Sequence, residues 1–163
     1  MNGELLQRIV EEIVSRLERR AQNVITLSAA QLRETDPTAL FCQYSSLHIS
    51  HVALPLLAEL AENESSDATA TLIHEALAMG IRVQISLQHG LLRAIPLKKL
   101  ARLPLAFCDE RGQPIILHPD KLLSYADVAR LKEGWLVLRR QCVVTALARE
   151  AAGTRNIQLI KQE

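Results

Sequence analysis

Apolar positions near the start of the chain fall at Leu5, Leu6, Ile9, Val10, Ile13, Val14 and Leu17. This spacing of one and four residues lays a continuous stripe along one side of a 3.6-residue helix. Gln7, Arg8, Glu11, Glu12, Ser15, Arg16, Glu18 and Arg19 fall on the other side. Glu4 with Arg8, and Glu12 with Arg16, stand four residues apart in the order that favours an ion pair on a helix. No proline interrupts the segment, and no glycine follows Gly3. A lone helix of this length is marginal in water, whereas burying seven aliphatic side chains gains about 10 kcal/mol gross. The stripe therefore predicts a helix that docks on something, and residues 1–22 read as a docking element ahead of a body spanning 23–163.

The pattern changes after Asn23. Val24–Leu27 reads as a strand, and Ser28 followed by Gln31 has capping-box spacing for a short helix that Pro37 ends. Ala39–Tyr44 is a dense apolar run of buried-strand type, and the alternation over Ser46–Val52 predicts another strand. Pro55 suits the first turn of a helix, and the polar stretch Asn63–Ser66 reads as a loop. Asp67 then caps a helix over Ala68–Met79 that Gly80 stops, and Ile81–Leu87 follows as a strand. Strand, helix, glycine, strand is the signature of an α/β unit with a parallel sheet. Pro96 opens a short helix, and Asp109-Glu110-Arg111-Gly112 turns a β-hairpin near 105–118 that could belong to a second small sheet. Ser124 and Asp127 cap a further short helix. Trp135–Val144 reads as one long strand, Thr145 caps a helix that Gly153 stops, and Ile157–Ile160 closes a strand-helix-strand tail over 135–163. The predicted fold class is α/β, a mixed sheet with flanking helices behind an amphipathic N-terminal helix.

Composition narrows the function classes. Nineteen basic against 18 acidic residues leave a net charge of +1, and aromatics make up 3%, so neither the electrostatics nor the stacking surfaces of a nucleic-acid binder are present. Lys98, Lys99 and Arg102, and Arg139 with Arg140, read as solvated faces. No apolar run reaches the length of a membrane span, and the first residues lack a secretory signal pattern. Cys42, Cys108 and Cys142 are odd in number, far apart and set in apolar segments, which predicts buried reduced thiols.

Candidate chemistry is sparse. His48 and His51 sit three apart, which on a strand sends them to opposite faces and makes a poor metal pair. His74-Glu75 has no second histidine at the spacing of a metalloprotease helix. His89 and His118 fall at strand ends, where loops often carry function. Glu59, Glu62, Glu64 and Asp67 cluster by sequence as a solvated loop. The six glycines are scattered, with no Gly-x-Gly-x-x-Gly, Walker-type loop or Gly-x-Ser-x-Gly. Close backbone approach to a phosphate needs clustered glycines, so no familiar nucleotide or flavin site is legible. No catalytic, cofactor or metal residue is assigned.

Family resemblance adds what periodicity cannot. Glu4–Leu17 resembles the short amphipathic helices that direct enzymes into bacterial microcompartments. Leu123–Leu131 followed by Cys142–Glu150 resembles a segment of ethanolamine-utilisation proteins; Thr145, Ala148, Arg149 and Glu150 match its pattern, with Ala146 in place of a proline. End to end, including Lys98–Pro104 and Arg155–Glu163, the chain is similar to the PduM family of the propanediol-utilisation microcompartment. That resemblance implies a non-catalytic assembly component of a microcompartment in the cytoplasm, joining the enzyme core to the protein shell. Its expected partners are shell proteins or encapsulated enzymes, reached through Leu5, Leu6, Ile9, Val10, Ile13, Val14 and Leu17, with no cofactor, nucleic acid or membrane. The same stripe could instead pack on its own body or pair two copies. Leu40–Leu87 is also similar to the back half of flavoproteins that decarboxylate cysteine-type substrates, which keeps open a flavin-type cofactor-binding protein or enzyme. A shell tile is a third reading, without the repeated tile motif.

Overall fold

The computed structural model describes residues 2–62 and 66–163, so Asn63, Glu64 and Ser65 of the expected loop lie outside the described residues. Helix α1 (Gly3–Gln22) leads through Asn23 into β1 (Val24–Ser28). Then come α2 (Ala29–Arg33), α3 (Pro37–Gln43), β2 (Ser46–Ser50), α4 (Leu54–Ala61), α5 (Ala68–Ala78) and β3 (Arg82–Ser86). A 3-10 turn at His89–Leu91 and α6 (Leu97–Leu100) precede β4 (Leu105–Cys108) and β5 (Pro114–His118). The chain ends with β6 (Leu122–Leu123), α7 (Tyr125–Ala129), β7 (Gly134–Leu138), β8 (Val143–Val144), α8 (Ala146–Thr154) and β9 (Ile157–Lys161).

Among the described residues seven strands form one sheet in the order β1-β2-β3-β4-β5-β7-β9, and β6 pairs with β8 in a separate two-stranded ribbon. Strands β1 to β4 are parallel, the β4–β5 hairpin reverses the chain, and β5, β7 and β9 are parallel to one another. This is the expected α/β class with a mixed sheet, and the hairpin is the hinge of the main sheet rather than part of a second one.

That reversal divides the core. Crossovers between parallel strands are right-handed, so sequential strands advancing one way place their helices on one face. After the hairpin the strands point the other way while advancing in the same direction, and right-handed crossovers go to the opposite face. The buried side chains follow this rule. Leu47, Ile49, Val83, Ile85, Phe107 and Ile115 meet Leu32, Leu40, Leu57, Leu60, Ile73 and Leu100 from α2 to α6 in the larger core. Leu136, Leu138 and Ile157 meet Val128, Ala148 and Ala152 from α7 and α8 in the smaller one.

The caps are largely those the sequence specified. Ser28 and Gln31 make both halves of a capping box on α2. Asp67 Oδ1 accepts from Thr69 N at 2.8 Å and Ala70 N at 3.2 Å at the start of α5. Gly80, at φ +80°, ends α5, with Ile81 N bonded to Ala76 O and Gly80 N to Leu77 O. This paired pattern satisfies two carbonyls that the helix end would otherwise leave open.

Four expectations need correction. Ala39–Tyr44 lies largely in helix α3, not a strand, and Pro37 begins that helix: Asp36 Oδ1 caps it by accepting from Thr38 N at 3.2 Å. A short apolar run cannot be assigned by periodicity, and Ala-Leu-Phe-Cys-Gln holds no β-branched residue to favour a strand. Trp135–Val144 splits at Arg139-Arg140-Gln141, where Cys142 N bonds back to Arg139 O at 3.0 Å, and Val143–Val144 pairs with Leu122–Leu123 instead. Gly153 lies inside α8, and the left-handed residue beyond that helix is Asn156 at φ +58°. Cys42 is exposed on α3, whereas Cys108 and Cys142 are buried and burial pushes the Cys142 thiol up. Ellman-type titration of the native protein is therefore expected to find one fast thiol, with the other two released only on unfolding. Two or more fast native thiols would contradict this packing.

Candidate functional site

Helix α1 holds none of its side chains in a core. Asn2 caps it by accepting from Glu4 N at 3.0 Å, Glu4 lies in the first turn, and Arg19 and Arg20 lie in the last, so both ends suit the helix dipole. Along its polar side Gln7 Nε2 donates to Glu11 at 3.2 Å, and Arg16 Nε to Glu12 at 2.9 Å. Such exposed pairs contribute about 0.2–0.5 kcal/mol each. They support the helix but cannot account for the stripe.

The seven stripe residues keep between 45% and 57% of their surface exposed, from Val14 at the lower end to Leu17 at the upper. The expectation that this side meets a partner therefore falls on an uncovered face. The alternative of packing on its own body does not describe this arrangement. Among the described residues, the hydrogen bonds that tie α1 to the body lie at the helix end. Arg20 Nε donates to Phe41 O at 2.9 Å, Ser45 Oγ to Ala21 O at 3.0 Å and Asn23 Nδ2 to Gln43 O at 3.1 Å. At a rise of about 1.5 Å per residue the helix is about 30 Å long, and four of its turns stand beyond those bonds.

The histidines are dispersed. His48 on β2 has Nε2 3.9 Å from Cys108 Sγ, across β3. His51 lies past the strand end at φ +56°, with Nδ1 3.0 Å from Ser50 Oγ. His118 Nε2 is 2.8 Å from Leu122 O, and His74 Nε2 is buried without a hydrogen-bond partner among the described residues. Among the described residues no three of His, Cys, Asp and Glu are grouped so as to hold a metal ion. Of the expected acidic cluster, Glu62 pairs with Lys99 at 2.6 Å, Asp67 caps α5, and Glu64 lies outside the described residues. No described helix is long and apolar enough to cross a membrane.

Sequence reading missed one polar cluster. The sole tryptophan, Trp135, packs against His89 with ring centres 4.5 Å apart and planes inclined at 59°, and donates from Nε1 to Asp109 Oδ2 at 3.0 Å. Asp109 Oδ1 also accepts from Arg111 N at 2.9 Å and Gln113 N at 2.8 Å, closing the hairpin turn. These residues come from three separate segments, so no local spacing announces them. Partial burial pushes the Asp109 carboxyl up, but the bonds from Trp135, Gln113 and Arg111 and the Arg111 charge outweigh it and hold its pKa below the ordinary 3.8. A carboxylate lowered on folding contributes stability above its unfolded pKa and loses it as pH falls through the folded one. Acid titration of Trp135 fluorescence is expected to show a step centred below 3.8 that disappears in Asp109→Asn. A step at or above 3.8, or one unchanged in the variant, would break the assignment.

An open cleft of about 450 Å³ lies at the C-terminal ends of β2 and β3, lined by Ser50, His51, Ser86, Gln88 and their neighbours. Ligands of open α/β sheets bind at that end. Nothing there supplies the glycine-rich turn a flavin phosphate would need, and no solved structure matches this chain.

Comparison with known proteins identifies the family. Residues 8–158 match the family model described as "Putative propanediol utilisation". A protein of Citrobacter freundii named "Bacterial microcompartment assembly protein PduM" is 66% identical over all 163 residues, covering the whole of both chains. One of the same name from Salmonella typhimurium (strain LT2) is 63% identical, again over both full lengths. At that identity over its whole length, the chain belongs to the PduM family.

Proposed function

We propose that this protein is a non-catalytic assembly component of the propanediol-utilisation microcompartment, which links the enzyme core to the shell by docking α1 into an apolar groove. In this reading residues 1–22 are the docking element and residues 23–163 the body that holds the second partner. The observation that carries it is the uncovered apolar face of α1, on a helix that the described body residues hydrogen-bond at its end. An amphipathic helix laid in a groove is a recurrent mode of recognition, with anchors spaced three and four residues apart. Leu5, Ile9, Ile13 and Leu17 form the row of anchors, and Leu6, Val10 and Val14 lie in a row beside it. The naming of the relatives as microcompartment assembly proteins supports the partner class, shell proteins or encapsulated enzymes.

The test is cosedimentation with intact microcompartments. The full chain is expected to sediment with them, and residues 23–163 alone to stay in the supernatant with an unchanged body signal in circular dichroism. Equal sedimentation by a folded body would move the docking surface off α1.

A further inference from the structure

The polar residues beside the stripe are sorted by charge. At about 100° per residue the stripe covers about half the helix circumference. One of its borders carries Arg8, Arg19 and Glu12, and Arg16, which projects just inside the stripe's edge between Leu5 and Ile9, reaches back to pair with Glu12. The other carries Gln7, Glu11 and Glu18. Hydrogen bonds stay within each border: Arg16 to Glu12 on the first, Gln7 to Glu11 on the second. One border is thus net basic and the other net acidic.

This sorting selects an orientation. In a parallel assembly related by a rotation axis, each helix sets one border against the opposite border of its neighbour, so arginines meet glutamates. In an antiparallel pair like borders meet, and arginines face arginines. The stripe's width selects the number. A two-helix seam covers only two positions in seven, a narrower band than this one. Three or more helices around a common axis cover the wider face.

We propose that, in the free protein, α1 associates in parallel with the α1 helices of two or more further copies, basic border against acidic border. This rests on the reading that the stripe is an association surface, and it goes further in naming what covers that surface before a partner does. Docking would then exchange copies of α1 for the partner's groove.

Light scattering on the full chain after size exclusion tests it. The expected mass is three or more times the 18.2 kDa of one chain. Arg8→Glu with Arg19→Glu makes both borders acidic, and Glu11→Arg with Glu18→Arg makes both basic. Each variant alone is expected to fall to 18.2 kDa, and an equal mixture to recover the higher mass. Gly3→Cys in a Cys42→Ser background is expected to form interchain disulfides under mild oxidation, because parallel helices bring equivalent ends together; antiparallel ends lie about 25–30 Å apart. A monomeric or dimeric native chain, charge variants of unaltered mass, or no crosslink would each overturn the proposal. A native chain that is monomeric yet sediments with microcompartments only when α1 is present would overturn this inference alone. A native assembly whose body sediments without α1 would overturn the docking reading alone.

Discussion

An Ile9→Gln, Ile13→Gln variant is expected to lose association with microcompartments by two to four decades of affinity while its body unfolds at the native temperature. Both side chains are about half exposed on a helix with no buried residue. Completing their burial against a partner gains about 1–1.5 kcal/mol each, half the value for full burial. A glutamine carried into the same groove without partners costs about 1–2 kcal/mol more at each site. The sum, about 4–7 kcal/mol, is reduced where a glutamine reaches water at the groove edge, leaving about 3–6 kcal/mol. Glutamine keeps a helix propensity close to that of the best formers, so α1 itself survives the change. Surface substitutions of this kind move folding stability by about 0.5 kcal/mol or less, a shift of about 2 °C for a chain of this size. Isothermal titration against a shell or core component, beside a thermal melt, separates the two effects. Unchanged affinity would remove the stripe from the docking surface, and a large fall in melting temperature would mean that α1 packs on the body.

The stripe was legible because it obeys one local rule over 13 consecutive positions, Leu5 to Leu17. The caps at Ser28, Asp36 and Asp67 and the turn at Gly80 are local as well, and three of the four were assigned from residue type alone. What stayed illegible depends on distant partners. Ala39–Tyr44 becomes helical because Asp36 and Pro37 start a turn there, a signal masked when Pro37 is taken as the end of the preceding helix. Val143 and Val144 leave the strand of Trp135 because Leu122 and Leu123 pair with them from another part of the chain. The cluster of His89, Asp109 and Trp135 joins segments about 20 residues apart or more, which no spacing rule anticipates. The side of the β1–β4 sheet that no described helix covers, where Thr26, His48, Gln84 and Ala106 align, follows from the reversal at the hairpin.

Gly134 is the most sensitive glycine, because the strand beside it leaves no room for a Cβ. It begins β7, beside Pro114 at the start of β5, where the first parallel pair after the hairpin begins. A Cβ added at Gly134 would stand 2.5 Å from the Pro114 carbonyl oxygen, and its φ of +154° is a conformation L side chains rarely adopt. The obstacle is backbone, so no side chain can rotate away. Either β5 and β7 separate, weakening the ladder from Ile115 with Trp135 to His118 with Leu138, or the chain at 134 turns and drags Trp135 from Asp109. Gly134→Ala is therefore expected to destabilise the protein by about 2–4 kcal/mol, a fall of about 5–15 °C in melting temperature. Gly153→Ala provides the contrast. It lies within α8 with nothing within 4 Å of its added Cβ, and alanine there removes unfolded-state freedom and improves helix propensity. That variant is expected to gain about 0.5–1 kcal/mol. Paired denaturant melts decide the matter: equal and small effects at both sites would mean that β5 and β7 do not approach this closely. A severe loss at 134 with a gain at 153 would place a rigid point of the sheet at the start of the β5–β7 ladder, where Gly134 meets Pro114.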